Sequence, residues 1–487
     1  MSTRKSLALS FLDRYAGLAI GVASTIVLAR LLTPADVGVF SVVMALLALA
    51  ATVRDFGAGN YLVQEPELTH DRIRAVWAVQ LALGFLLAAL VALASAPMAT
   101  FYNDARMRPI MLVLAVNYLV NPFGSITYAW LIREMRYGAI AAMRVSASLA
   151  GALVAVGLAY QGHGPISLAW GNLASTTANA AVAVLFRPRG YPWFPGLREI
   201  GRVLSFGGQL TATSVFNTIA AGAPEFFLGK LQNLAAAGYY SRANGVVAMF
   251  SRLVIDAVYP VALSLFSREA RLGQDFSASY LRALAYITAL SWSFSAALIC
   301  LAHPTVRLLY GAQWDNSVEL TRWLAVVLAL MAPVPLCTAA LVGAGQVRPV
   351  LLATVITFVS TAAAAGAGAS LGLPALGMCL VVASVVSITA WLIVTQQVVQ
   401  FQWRALASVS TRSAFVTLVT AVAPATALLW FGSTPAHALP PLALGTAGGA
   451  AGFLLAVMFL PHPLADELRR VVTTLRRRKT KGESYEP

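Results

Sequence analysis

The sequence predicts an all-α integral membrane protein of about fourteen transmembrane helices, and three observations predict it. Of 487 residues, 59% are hydrophobic and 11% charged, with a mean hydropathy of +0.75; ordinary soluble domains carry about 25% charged residues. The apolar residues fall into long unbroken runs, and about 20 such residues cross a bilayer as a helix. These runs lack the period-two alternation of transmembrane strands, and lipid admits only helices or closed barrels.

The first run, Leu7 to Leu32, opens behind Arg4 and Lys5. It outlasts a signal peptide and has no small-residue cleavage site, which predicts a retained first helix. Charges, prolines and glycines then bound the runs Asp36 to Phe56, Ala75 to Ala96, Ile110 to Ile132, Ala139 to Tyr160 and Ile166 to Phe186. The same criteria give Ile200 to Leu228, Ala236 to Leu265, Leu281 to Ala302 and Val318 to Val342. The series closes with Val350 to Leu371, Ala375 to Val399, Ser413 to Phe431 and Leu439 to Leu460. The longest polar pieces are Gln64 to Arg74, Arg187 to Arg202, Ser267 to Gln274 and the tail from His462. None is long enough to build a core of its own.

The net charge of +15 would suggest nucleic acid in a soluble chain. Here the cations sit between apolar runs and in the tail, which speaks for membrane topology and anionic headgroups and against a nucleic-acid partner. With the N-terminus in the cytoplasm, 26 of the 34 Lys and Arg fall on the cytoplasmic side, 6 on the outer side and two, Arg242 and Arg252, inside the eighth run. That asymmetry predicts both termini inside and an even number of spans. Cys300, Cys337 and Cys379 lie singly in apolar runs, so neither a disulfide framework nor a metal site is expected.

One internal repeat is visible. Ile26 to Ser41 and Phe226 to Ser241 align at an offset of 200 and share Leu28/Leu228, Leu31/Leu231, Ala35/Ala235, Gly38/Gly238 and Ser41/Ser241. Six spans separate the copies, an even number, so both halves would have the same orientation in the membrane.

The repeat sits within a series of motifs: ARLLTPADVGVFSVV, RDFGAGNYLVQ, FYNDARMRPIMLVLA, LIREMRYGAIA, LSFGGQ, FFLGKLQNLAAAGYYSRA and HPTVRLLYGAQW. In this combination and order they resemble the Wzx-type oligosaccharide flippases, the polysaccharide transporter branch of the MOP superfamily, over most of the chain through about Leu380. The resemblance implies a MATE-like fold: two six-helix lobes around a central cavity plus two trailing helices. It implies an N-lobe over residues 1–190, a C-lobe over 191–400, helices 13 and 14 over 401–461, and a basic cytoplasmic tail over 462–487. It also implies a lipid-linked oligosaccharide as substrate, carried across the bacterial inner membrane. A polysaccharide polymerase and a chain-length regulator would be its partners beside membrane lipids.

Ionisable groups inside spans are costly and mark functional candidates. In the eighth run, at about 100° per residue, Arg252 and Asp256 lie about 40° apart and Arg242 falls in the same sector of roughly 80°. These three would form a cationic wall for a diphosphate, with Asp256 holding Arg252; they also fit a self-satisfied pair packed on another helix. Guanidinium forks suit phosphate oxygens. Arg54 and Asp55 close the second run level with Asp13 and Arg14, a cluster suited to receive a headgroup or to pair internally. Glu225, behind Pro224, is a candidate for ion coupling or an interfacial carboxylate, and Arg144 for substrate contact or snorkelling. Asn117, Asn121, Ser125 and Thr127, then Asn172, Ser175, Thr176 and Asn179, then Gln209, Thr211, Thr213, Ser214 and Asn217, would line a wet path or bond helix to helix.

No Walker motif, HExxH, GxSxG or usable GxGxxG occurs, so nucleotide hydrolysis, a cofactor and enzymatic catalysis are not expected. A cation-coupled drug antiporter on the same fold would need acidic groups, yet Ala19 to Leu28 contains none. The lipid II flippase branch usually has an Arg-Asp pair in the middle of its first helix, where this chain has Ser24 and Thr25. A membrane polymerase or ligase would present catalytic carboxylates or a large outer loop, and the outer segments here are short.

Overall fold

A computed structural model describes the backbone of residues 3–55, 58–65, 67–188, 190–192, 194–432, 434, 437–459 and 462–465. Side chains are described for the same residues apart from 3–16, 55, 58, 60, 64 and 202–213. The first half is built from α1 (Thr3–Leu31), α2 (Pro34–Asp55), α3 (Ala58–Gln64), α4 (His70–Phe101), α5 (Met107–Arg133), α6 (Tyr137–Tyr160), α7 (Ile166–Phe186) and α8 (Ile200–Leu231). Next come α9 (Leu234–Phe250), a π-turn (Ser251–Ile255), α10 (Asp256–Arg271), α11 (Ser277–Tyr310), a 3-10 turn (Ala312–Trp314), α12 (Ser317–Met331) and α13 (Val334–Gly343). The chain continues through α14 (Val347–Leu371), α15 (Leu373–Val399), α16 (Trp403–Phe431) and α17 (Leu439–Phe459).

Among the described residues, eleven helices are long and apolar enough to cross a membrane, with α9–α10 and α12–α13 each counted as one. The three other expected spans fall on α1, α7 and α8. The multi-pass, all-α reading of the sequence holds. Only α3 is an element the apolar runs did not announce. Helix ends follow local chemistry: Thr69 caps α4 by accepting the Arg72 N–H, and Asp71 sits in the first turn, where the positive end of the helix favours an anion. Gly311 takes φ +98° to turn the chain out of α11.

The residues gather into two compact units, Met1–Ser241 and Arg242–Pro487. In the first, α5 packs on α4 and α7, α6 on α7 and α1, and α2 on α8. Its core includes Trp77, Tyr61, Leu62 and Ile126. In the second, α11 packs on α12, α16 and α17, α14 pairs with α15, and α10 with α13. Phe266, Tyr280, Leu336 and Phe401 centre that core. By contact, α8 groups with the first unit. The reason is contact along α8: Thr52 Oγ1 lies 2.9 Å from Thr218 Oγ1, and Tyr102 donates to the Phe226 carbonyl at 3.3 Å.

Gly38 and Gly238, equivalent positions of the sequence repeat, meet each other within the first unit. A Cβ on Gly38 would fall 1.6 Å from the Leu234 carbonyl oxygen, and one on Gly238 2.0 Å from that of Pro34. Only glycine permits this backbone-to-backbone crossing. The reciprocity, each glycine facing the carbonyl four residues before its counterpart, is what an axis relating the two copies produces.

Candidate functional site

Within the first unit, α2 ends at Arg54 and Asp55. Arg54 is half-buried with its guanidinium 5.8 Å from the ring centre of Tyr118, and the Tyr118 hydroxyl donates to the Leu47 carbonyl at 2.9 Å. The phenol is therefore fixed, and the arginine rests on its face. The side chain of Asp55 lies outside the described residues, as do those of Asp13, Arg14, Gln209, Thr211 and Thr213.

Two of the polar residues of α5 bond to neighbouring helices. Asn117 donates to Asn172 at 2.8 Å, and Ser125 donates to Gln80 of α4 at 2.7 Å. These are helix-to-helix bonds of the kind expected in a bundle. Asn117 keeps one capacity open: its Oδ1 is buried without a hydrogen bond among the described residues. Asn121, one turn on, is half-buried. Arg144 on α6 is exposed and donates to the Tyr128 hydroxyl, with its guanidinium 5.7 Å from that ring centre.

Glu225 follows Pro224 inside α8. Its Oε2 is buried and lacks a hydrogen bond among the described residues. A carboxylate so placed is costly in its charged form, which keeps it a candidate for taking up a proton or cation. At the same end of the unit, outside the spans, Arg106 bridges Asp36 at 2.7 Å and Asp104 at 2.7 Å. Burial pushes the Asp104 carboxyl up, but the Arg106 hydrogen bonds and charge outweigh it and hold it below the ordinary carboxylate range. At the opposite end, burial pushes the Tyr191 phenol up to about 12. That tyrosine and Arg133 line a cavity of about 310 Å³.

In the second unit, Arg242 lies in a different setting from Arg252 and Asp256. Arg242 lies over two rings, 5.7 Å from Tyr310 and 5.5 Å from Trp314, and its Nε is buried without a hydrogen bond among the described residues. Arg252 and Asp256 are exposed. The helix is interrupted by the π-turn Ser251–Ile255, whose i→i+5 bonding departs from the 100° spacing of an α-helix. Arg252 lies inside that turn and Asp256 directly follows it, placing two exposed charges of opposite sign halfway along a 38-residue apolar helix, Leu234–Arg271. Sequence reasoning missed the rings that hold the arginines. Tyr118 and Tyr310 lie 64 and 68 positions from the cations they face, and no local spacing signals such pairs.

A profile of the family described as "Polysaccharide biosynthesis protein" matches residues 27–319, more than half of the chain. The chain belongs to the polysaccharide biosynthesis protein family. It is similar to the lipopolysaccharide biosynthesis protein WzxC of Escherichia coli K12, at 23% identity over 63% of each chain. The succinoglycan biosynthesis transport protein ExoT of Rhizobium meliloti is 24% identical over 94% of this chain and 92% of that one. Among solved structures, the lipid II flippase MurJ in an inward closed conformation shares the fold with a TM-score of 0.73 at 12% identity, covering 94% of this chain and 98% of that one. An inward-facing multidrug resistance MATE transporter of the MOP superfamily follows with 0.62 at 18%, covering 80% and 96%. These matches bear out the resemblance to Wzx-type flippases and the MATE-like fold, and they group the chain with transporters rather than enzymes.

Proposed function

We propose that the protein carries an undecaprenyl-diphosphate-linked oligosaccharide repeat unit across the bacterial inner membrane, for exopolysaccharide, capsule or O-antigen synthesis. Each hydroxyl moved unpaired from water into hydrocarbon costs about 4–8 kcal/mol, so a repeat unit with several sugars cannot cross unaided. Both termini lie in the cytoplasm, and the headgroup enters from that side while the lipid tail stays in the bilayer. Arg252 neutralises the diphosphate, and in the first unit Arg54, Arg144, Asn117 and Asn121 offer cationic and polar contacts at other steps of its passage. Asp256 orients Arg252, and Glu225 exchanges a coupling proton or cation. An alternating-access cycle then exposes the headgroup to the outer side, where a polymerase and chain-length regulator consume it. Arg242, resting on Tyr310 and Trp314, serves by positioning those rings rather than by meeting the diphosphate directly.

The observation that carries this reading is the exposed Arg252 and Asp256 at a π-turn in the middle of a membrane-length helix. A bilayer-depth cation is costly unless it faces protein, water or an anion, and π-turns concentrate at functional sites. The test is Arg252→Ala in a host lacking its own copy. A charged hydrogen bond of about 1.5–3 kcal/mol corresponds to a loss of about ten- to a hundredfold in surface polysaccharide. Lipid-linked repeat units should accumulate inside, with partial rescue by Arg252→Lys. Full polymer output from the alanine variant at normal protein level overturns the role of Arg252. Reconstituted vesicles separate the activities: transfer of a lipid-linked oligosaccharide between leaflets supports the proposal, whereas new glycosidic bonds, or efflux of organic cations without lipid transfer, overturns it.

A further inference from the structure

The second unit carries a cavity of about 600 Å³ at the end where α11 gives way to α12, the outer end in the topology proposed above. Two helix faces build it. His303 and Arg307 are one turn apart on α11, and Glu319, Arg322 and Trp323 share a face of α12, as i, i+3 and i+4 positions do. Asp315, in the connection between the helices, completes the polar wall. Its carboxylate takes the Arg307 Nε at 3.0 Å and Nη2 at 2.7 Å, so this guanidinium is already neutralised and fixed.

The remaining polar groups have their capacity open. Neither Glu319 nor Arg322 makes a hydrogen bond or ion pair among the described residues. His303 is only 4% exposed, and its Nδ1 has no hydrogen-bond partner among them. Trp323 is held in place from behind: a Cβ on Gly377 would fall 2.6 Å from its Cγ, so the glycine is what lets α15 lie against the indole.

The charge balance decides the class of ligand. Two guanidinium groups and two carboxylates leave the cavity without a net charge to attract a phosphate. What it offers instead is a carboxylate acceptor beside a guanidinium donor, next to an aromatic ring. A sugar satisfies that set: each hydroxyl both donates and accepts, and the C–H face of the ring packs on indole. The volume is within the roughly 300–1,000 Å³ of small-molecule sites. We propose that this cavity is a saccharide-binding subsite that takes one or two sugar residues of a glycan on the outer side, held by Glu319, Arg322 and Trp323. This rests on the reading of the protein as a glycolipid transporter, and adds a second place where the chain meets sugar.

The experiment uses the full chain in lipid nanodiscs, titrated with methyl β-glucoside, methyl β-galactoside, glucuronate and inorganic pyrophosphate, and followed by saturation-transfer NMR. Saturable binding of at least one sugar is expected, weakened at least tenfold in Glu319→Gln and in Trp323→Ala and undisturbed by pyrophosphate. Glu319→Gln is nearly isosteric and keeps the test valid if the tryptophan variant fails to fold. Absence of saturable sugar binding, undiminished binding in Glu319→Gln, or displacement by pyrophosphate overturns the proposal. Leaflet transfer of a lipid-linked oligosaccharide is measured on the same nanodisc preparation after transfer to vesicles. Transfer that persists without sugar binding here overturns the subsite alone, whereas lost transfer in Arg252→Ala bears on the carrier.

Discussion

His462 shows how one side chain reports the protonation state that the fold demands. Its Nδ1 accepts the Leu464 N–H at 3.2 Å, and its Nε2 lies 3.5 Å from the Ser413 hydroxyl of α16. A proton on Nδ1 would face the Leu464 N–H donor to donor. Burial, reinforced by Arg412, pulls the imidazole pKa below its usual value, so the unfolded chain binds the proton more readily than the folded one. Stability from this site is therefore complete above an ordinary histidine pKa of about 6.5 and is lost as pH falls below it. Thermal unfolding of the detergent-solubilised protein between pH 8 and pH 5 should fall more steeply in the wild type than in His462→Gln. Equal slopes would mean that the ring is not held neutral. None of this was legible in the sequence, where His462 only opened the tail, because the partners that set its state arrive from another helix.

The eighth span shows what an element can hide. Its apolar content and length were legible, and the expected run Ala236 to Leu265 lies inside the continuous helix Leu234–Arg271. The π-turn was not, because an i→i+5 step leaves no mark in residue composition or spacing. The turn lets α9 and α10 each present the correct face. Beyond it, Phe266 is fully buried, 5.8 Å from the ring of Phe276 and 6.2 Å from Tyr280. Phe266→Ala would empty this place in the core beyond the turn. The loss should approach the roughly 3–5 kcal/mol of removing a buried aromatic ring, seen as a lower melting temperature and reduced yield in membranes. An unchanged melting temperature would show that Phe266 does not anchor α10.

At the scale of the whole molecule, two sequence signals of different physical origin point the same way. The repeat at an offset of 200 reappears as Gly38 against Gly238, each facing the backbone of the other copy. The charge count, with 26 Lys and Arg on one side and 6 on the other, depends on insertion rather than packing. It predicts both ends of the chain in the cytoplasm and an even number of spans, which fourteen satisfies. What neither signal could reveal is where the compact units divide, because the contacts of α8 with α2 are tertiary. The topology itself is testable without touching any candidate site residue. A fluorescent protein fused after Pro487 should fold and fluoresce, whereas alkaline phosphatase at the same place should stay inactive. The phosphatase should become active when fused after Gly162 or Gly372, in connections between α6 and α7 and between α14 and α15. An active phosphatase at the C-terminus would invert the bundle, move Asp104, Arg106 and Asp315 to the cytoplasmic face, and remove the saccharide subsite from the side on which a finished glycan is released.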